Sequence, residues 1–172
     1  MRYFTIAIIF IVSSGFIACG QSDSNATTNK GNDLIPWTNI QDGAEQALNE
    51  NKKLYVYVYT DWCSWCKRME EETFADESVA NYMNDKYVPV SLDAESQKQV
   101  RFNGQRMSEQ DVASTLGAEG FPTHVFLTSD GEPVTIAPGY LPPERFINVL
   151  SFIAEDHYKN MDWEEYVSQQ EG

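Results

Sequence analysis

Two cysteines separated by two residues follow a strand-like run, and this arrangement constrains the fold more than any other feature of the sequence. The run Leu54–Tyr59 is rich in valine and tyrosine, which favour a buried central strand. Cys63-Ser64-Trp65-Cys66 comes next and leads into a helical stretch over residues 67–74. Cysteines three positions apart at the start of a helix lie close enough for their sulfurs to form a disulfide. The sequence therefore predicts a strand, a cysteine pair and a helix in direct succession.

The same arrangement predicts different roles for the two thiols. Cys63 lies at the predicted helix N-terminus, where unpaired backbone N–H groups and the positive end of the helix dipole favour a thiolate. Because only the thiolate attacks a disulfide, Cys63 is the predicted nucleophile. Cys66 lies one turn further along and is predicted to resolve the mixed disulfide. The carboxylate of Glu70, four residues on, is expected to disfavour the Cys66 thiolate further.

The chain from Pro36 onward alternates between helical and strand-like patterns. Further helices are predicted over 42–48, from 76 to 83, from 108 to 117, from 143 to 153 and from about 162. Further strands are predicted over 87–92, 123–128 and 134–137, and Pro89 indicates an edge or an irregularity in the first of these. Residues 93–107 form a predicted insertion in which Asn103-Gly104 marks a hairpin turn. This order predicts an α/β fold with a central mixed sheet flanked by helices on both faces.

Two motifs carry a family resemblance. Asp61-Trp62-Cys63-Ser64-Trp65-Cys66-Lys67 resembles the active site of the thioredoxin superfamily, and Gly120-Phe121-Pro122-Thr123 resembles its cis-proline loop. The resemblance covers about residues 35–158 and is closest to exported thioredoxin-related lipoproteins with a W-C-x-W-C-K active site. It implies a thioredoxin-like fold with a hairpin-containing insertion before the cis-proline loop. It also implies that Cys63 and Cys66 are catalytic and that substrate binds at Trp62, Phe121 and a cis Pro122.

One position departs from the family pattern. Small thioredoxins carry a buried aspartate six positions before the first cysteine, where it relays a proton for the resolving thiol, and this chain has Tyr57 there. A water molecule or another side chain is expected to take over that task. His124 lies two residues past Pro122 and is a candidate for the relay, although a purely structural histidine is the competing interpretation.

The N-terminal segment has the composition of a secretory signal, because Arg2 provides one positive charge and residues 3–18 carry none. The segment ends in Phe16-Ile17-Ala18-Cys19, which resembles a bacterial lipobox and makes Cys19 the predicted lipidation site. An uncleaved anchor is the alternative, although a lasting membrane span needs about 20 apolar residues.

These patterns divide the chain into three predicted parts. We expect a signal peptide over 1–18, a lipidated cysteine and flexible tether over 19–34, and a thioredoxin-like domain over 35–172. The expected location is the bacterial cell envelope, lipid-anchored and facing the periplasm. Gly20 after the cysteine resembles outer-membrane sorting.

Composition argues against several functions. The formal net charge is −14, and the sequence lacks the clustered Lys and Arg that nucleic-acid phosphates require. A nucleotide cofactor is not expected, because no Gly-rich phosphate loop follows a strand. A catalytic metal is not expected either, since two cysteines and two distant histidines make a poor zinc ligand set.

Together these features predict an extracytoplasmic thiol–disulfide oxidoreductase that reduces or exchanges disulfides in exported proteins through the Cys63/Cys66 dithiol. No cofactor beyond that redox-active pair is expected. The expected partners are protein or peptide disulfides, an upstream dithiol that donates or accepts electrons, and the membrane through the lipid; the protein is expected to be a monomer. Two alternatives stay open, namely a copper-binding module that uses the two thiolates and a non-catalytic chaperone or adaptor.

Overall fold

The computed structural model describes residues 34–170. The helices in this range are α1 (Ile40–Glu50), α2 (Ser64–Arg68), α3 (Glu77–Lys86), α4 (Glu109–Thr115), α5 (Pro143–Ala154) and α6 (Trp163–Gln170). The strands are β1 (Lys53–Tyr59), β2 (Tyr87–Asp93), β3 (Gln99–Phe102), β4 (Gln105–Ser108), β5 (Thr123–Leu127) and β6 (Pro133–Pro138). A π-helical turn (Met69–Thr73) continues α2, and a 3₁₀ turn (His157–Lys159) follows α5.

The predicted mixed sheet is confirmed. Its strand order is β2-β1-β5-β6, with β2 parallel to β1 and with β5 and β6 antiparallel to their neighbours. The pairing of Val58 with Thr123 places the start of β5 beside the end of β1. Residues 60–63, which follow β1, and residues 120–122, which precede β5, therefore lie at the same end of the sheet.

Strand β1 is buried on both faces, and its alternation separates two hydrophobic cores. Its three tyrosines, Tyr55, Tyr57 and Tyr59, point into one core together with residues of α3 and α5. Leu54, Val56 and Val58 point into the other core, which α1, α4 and the β3–β4 hairpin cover. A strand with helices on both faces needs apolar or aromatic side chains at every position, which explains the unbroken run in the sequence.

Pro89 lies in an edge strand, as predicted. Thr38 forms an isolated bridge on the outer side of β2, and its N–H donates to the Pro89 carbonyl at 3.0 Å. In a parallel ladder the N–H and C=O of one residue point to the same side, so the ring nitrogen of Pro89 also faces away from β1. The proline therefore removes no hydrogen bond from the β1–β2 ladder.

The insertion before the proline loop is the predicted hairpin. Asn103 and Gly104 have φ values of 48° and 75° and connect β3 to β4 by a two-residue turn. Ser108 and Asp111 then form a reciprocal capping box at the start of α4.

Two details differ from expectation. The apolar pattern Ile40, Ala44, Ala47, Leu48 predicts that Leu48 lies on the buried stripe of α1, but its side chain is 61% exposed. The helix after Cys63 begins at Ser64 and changes to π-helical hydrogen bonding at Met69, which the apolar pattern does not indicate. In the range 34–170, none of the helices combines the length and the apolar character that crossing a membrane requires.

Candidate active site

The two cysteines lie at the junction of β1 and α2. A disulfide joins Cys63 to Cys66, and their Cα atoms are 5.2 Å apart. Cys63 is the N-cap residue of α2, and its Sγ accepts a hydrogen bond from the backbone N–H of Cys66 at 3.0 Å. A donor aimed at this sulfur favours its thiolate over its thiol after reduction. This contact gives the two cysteines the unequal surroundings that the sequence predicted.

The proline loop forms the second part of the site. The peptide bond between Phe121 and Pro122 is cis, as the resemblance implied. The N–H of Gly139 donates to the Pro122 carbonyl at 2.8 Å, and the Thr123 hydroxyl donates to the Gly120 carbonyl at 2.6 Å. These two bonds hold the loop at the end of the sheet from which α2 starts.

An exposed tryptophan connects the two parts. Trp62 is 66% exposed, and its ring meets Phe121 edge to face with centroids 6.0 Å apart. The structure thus brings together two of the residues predicted to bind substrate, Trp62 and Phe121. It buries the third, Pro122, beneath the loop surface.

A second aromatic group extends from α2 to the loop before α5. Trp65 is 52% exposed, and its ring lies 5.7 Å from that of Tyr140. The Arg68 guanidinium sits 4.9 Å from the centroid of Tyr140 and 5.6 Å from that of Trp65, which is cation–π range. Glu72 accepts hydrogen bonds from Arg68 and from the Tyr140 hydroxyl. This group was not predicted, since it depends on a contact between segments about 70 residues apart.

Tyr57 occupies the position of the missing aspartate and contacts the cysteine helix directly. Its hydroxyl donates to the Cys66 carbonyl at 3.1 Å and to Glu70 Oε1 at 3.3 Å. Burial raises the pKa of Tyr57, so it remains a phenol at any physiological pH. Burial also raises the pKa of the Glu70 carboxyl, although the hydrogen bond from Tyr57 opposes that effect.

Glu70 differs from the glutamates that follow it. Three consecutive glutamates on a helix usually form a solvated face, and Glu71 and Glu72 are exposed. Glu70 is half-buried and turns toward Tyr57, so this one residue departs from that pattern.

His124 is completely buried between β1 and the turn after β6. Its Nε2 lies 3.0 Å from the Gly139 carbonyl, and its Nδ1 lies 2.7 Å from the Tyr55 hydroxyl. Because a carbonyl only accepts, Nε2 carries the proton and Nδ1 accepts from Tyr55. Burial lowers the pKa of His124 to about 4, so the ring is neutral. Both nitrogens are occupied by structural partners, and a role in proton relay stays a hypothesis.

A model of the thioredoxin-like domain family matches residues 40–154, which is more than half of the chain. The chain belongs to this thioredoxin-like family. The matched range includes both cysteines, the cis-proline loop and the hairpin insertion.

Proteins with related sequences contain this segment as a part. Uncharacterized protein B0495.5 of Caenorhabditis elegans is 32% identical over 120 residues, which is 70% of this chain and 16% of that protein. The thiol:disulfide interchange protein DsbD of Actinobacillus pleuropneumoniae is 26% identical over 105 residues, or 60% of this chain and 16% of DsbD. The disulfide bond reductase DsbH of Chlamydia pneumoniae is 22% identical over 99 residues, or 57% of this chain and 59% of DsbH. The chain thus spans about a sixth of the length of the first two relatives.

Solved structures share the thioredoxin-like fold. A thioredoxin-fold protein from Helicobacter pylori superimposes with a TM-score of 0.59 at 20% identity, covering 70% of this chain and 80% of that one. A thioredoxin from Thermus thermophilus superimposes with a TM-score of 0.58 at 21% identity, covering 70% and 87%. At this identity the likeness concerns the fold alone.

Other predicted sites remain outside what the structure describes or shows. Cys19 lies outside the described residues, so its lipidation stays a prediction. Between residues 34 and 170 no group of three or more His, Cys, Asp or Glu side chains is arranged to hold a metal ion. Two thiolates alone still suit Cu(I), so copper binding remains an alternative.

Proposed function

We propose that the protein is an extracytoplasmic thiol–disulfide oxidoreductase that reduces or exchanges disulfides in exported proteins through Cys63 and Cys66. The observation that carries this proposal is the hydrogen bond from the Cys66 N–H to Cys63 Sγ, at the start of a helix and at the same end of the sheet as a cis proline. Family membership supports it, as do relatives named for disulfide interchange and disulfide reduction.

The chemistry proceeds in two exchanges. The Cys63 thiolate attacks one sulfur of a substrate disulfide, forms a mixed disulfide and releases the other substrate sulfur as a thiolate, which takes a proton from solvent. The Cys66 thiol then loses its proton and attacks Cys63 Sγ. The bond from Cys63 to the substrate breaks, the Cys63–Cys66 disulfide forms, and two electrons have passed to the substrate.

We assign substrate binding to the exposed surface around Cys63. An extended segment of the substrate pairs with the backbone at Phe121, and Trp62 provides an apolar contact beside it. Large exposed aromatic rings typically mark a binding surface, because a partner that covers them removes apolar surface from water, which lowers the free energy. An upstream dithiol restores the reduced pair, and no further cofactor takes part.

We place the protein at the cell envelope through a lipid on Cys19, facing the periplasm. The support for this part is the charge-free segment before Cys19 and the polar tether after it. An oxidising compartment is also where a disulfide between two nearby cysteines persists.

Insulin reduction by dithiothreitol tests the activity. We expect the full chain to accelerate precipitation of the insulin B chain, and the Cys63→Ser variant to behave like buffer, because it lacks the attacking sulfur. Both proteins carry Cys19→Ser, so that the chain's third thiol takes no part. If the two proteins act alike, the oxidoreductase proposal fails.

The same preparations distinguish the alternatives. A reduced protein that retains one Cu(I) in a chelator competition but does not reduce insulin would be a copper-binding module. A protein that does neither, yet suppresses aggregation of an unfolded client equally well with and without Cys63, would be a chaperone or adaptor.

A further inference from the structure

A pocket of about 240 Å³ opens beside the resolving cysteine. Thr60, Cys66 and Glu70 line its inner part, and the charged side chains Asp61, Lys67 and Glu71 lie at its rim. The pocket therefore connects the thiol that must lose a proton with a carboxylate that is half-buried and held in place.

The Thr60 hydroxyl indicates what the pocket holds. Thr60 is 2% exposed, and among the described residues its Oγ1 has no hydrogen-bond partner. A buried hydroxyl without a partner is costly, and such groups are commonly satisfied by an ordered water when the site is polar and roomy. The pocket meets both conditions, because it is large enough for several waters and has a carboxylate on its wall.

Tyr57 positions the carboxylate. Its hydroxyl bridges the Cys66 carbonyl and Glu70 Oε1, so the side chain of Glu70 is tied to the same turn of backbone that carries Cys66. One carboxylate oxygen takes the tyrosine hydrogen bond, and the Glu70 side chain also lines the pocket. Tyr57 thus does not replace the missing aspartate chemically, since it donates its only proton to Glu70 and Cys66.

We propose that Glu70 accepts the proton of Cys66 in the resolving step, through a water held by the Thr60 hydroxyl in this pocket. The inference rests on the proposed function and names the group that performs one of its steps. The Cys66 thiol gives its proton to the water, which gives one to Glu70, and the new thiolate displaces the substrate sulfur from Cys63. The substrate leaves as a thiolate that is protonated by solvent, and Glu70 returns its proton to solvent through the pocket mouth.

The electrostatics agree with this role. Burial raises the pKa of Glu70, the negative charges of Glu71 and Asp61 raise it further, and Tyr57 and Lys67 lower it. A carboxylate with a raised pKa is a stronger base and is better matched to a thiol than an exposed one.

A two-phase exchange reaction separates the resolving step from the first attack. Reduced full-length protein carrying Cys19→Ser is mixed with one equivalent of dithiobis(nitrobenzoate). The first release of the coloured thiolate reports attack by Cys63, and the second reports displacement by Cys66. The variant is Glu70→Gln, whose amide oxygen still accepts from Tyr57. The matched control is Glu77→Gln, which removes the same charge from an exposed position of α3 that does not line the pocket.

We expect Glu70→Gln to slow the second phase at neutral pH by at least about 100-fold, the lower end of a general-base contribution, with the first phase unchanged. The deficit should disappear at alkaline pH, where Cys66 ionises without help. Thr60→Val should slow the same phase to a smaller extent. Glu77→Gln should follow the wild type.

The opposite sign would overturn the inference. If Glu70 acts only as a nearby negative charge, its removal lowers the pKa of the Cys66 thiol and accelerates the second phase. A purely structural role would slow both phases by the same factor at every pH, and this outcome also contradicts the relay. Insulin reduction by the wild type keeps the two proposals distinguishable, because it can succeed while Glu70→Gln shows no specific defect.

Discussion

His124 is held neutral inside the protein, which links folding to pH. Its pKa is lowered from 6.5 to about 4 by burial, whereas an unfolded histidine binds a proton near 6.5. Between these two pH values the unfolded chain binds more protons than the folded one. The contribution of His124 to the free energy of unfolding is therefore fully present above pH 6.5 and is lost as the pH falls toward 4. The shift corresponds to at most about 3 kcal/mol.

Urea unfolding at about pH 7 and about pH 4.5 measures this contribution. We expect His124→Gln to be destabilised at neutral pH, because the bonds to Tyr55 and Gly139 are disturbed, and to lose part of the wild-type decline in acid. His157→Gln, which alters the partly exposed histidine beside Glu155, should keep the full decline. Equal slopes for both variants would show that His124 does not titrate as the structure implies.

The separate relay hypothesis for His124 is tested in the two-phase exchange reaction. Its proton-bearing Nε2 faces Gly139 and not the cysteines, so we expect His124→Ala to have little or no effect on the second phase. That result would leave Glu70 as the proton acceptor.

At the scale of single residues, the sequence predicted the two cysteines and the proline from local motifs. It could not single out Glu70, because three consecutive glutamates look alike until the tertiary contact with Tyr57 distinguishes them.

Helix α1 approaches the sheet so closely that only a glycine fits at the contact. A Cβ built on Gly43 would lie 2.4 Å from Val90 Cγ2 and 3.0 Å from Thr38 Cγ2. On an open helix surface, replacing glycine by alanine stabilises by about 1 kcal/mol. Here we expect Gly43→Ala to destabilise by about 1–3 kcal/mol, because overpacking outweighs the gain in helix propensity. Thermal or urea unfolding measures the difference.

Asn49→Ala is the matched control on the exposed face of the same helix. It should be neutral or slightly stabilising. If Gly43→Ala proves as stable as the control, the close packing of α1 against β2 is wrong.

Local chemistry was sufficient to predict some elements and not others. The hairpin turn at Asn103-Gly104 was predicted correctly, because it depends on backbone preferences of two adjacent residues. The helix predicted from residue 108 does begin there, because Ser108 and Asp111 cap it locally. The π-helical turn was not predicted. Its last residue, Thr73, donates a hydrogen bond from its hydroxyl to the Leu141 carbonyl at 2.7 Å, so part of what fixes the turn lies far away in sequence. That turn directs Glu70 inward while Glu72 reaches Tyr140.

At the scale of the whole molecule, the sheet order assembles the site from two distant segments. Strand β1 carries the cysteines to one end of the sheet, and β5 runs antiparallel beside it, so its first residue returns the proline loop to the same end. The sequence predicted a mixed sheet but not which strands are neighbours. Pairing of β1 with β5 depends on register and on the two cores, and these are properties of the folded chain.

The proposed lipid on Cys19 would confine this site to a membrane surface, and it assigns separate roles to the three cysteines of the chain. We expect the protein expressed in a Gram-negative host to incorporate an alkyne-labelled fatty acid and to partition into detergent. The Cys19→Ser variant should incorporate no label. The double variant Cys63→Ser, Cys66→Ser is the matched control. It should label like the wild type, because the two thiols that it lacks serve redox chemistry alone.

Mass spectrometry of the N-terminal peptide completes this test. Cleavage before Cys19 with a diacylglyceryl mass on that residue is the expected result. A wild-type protein that remains in the membrane without label and retains residues 1–18 would instead be held by an uncleaved apolar segment. In that case Cys19 would be a free thiol in an oxidising compartment, able to exchange with the Cys63–Cys66 disulfide of a neighbouring molecule.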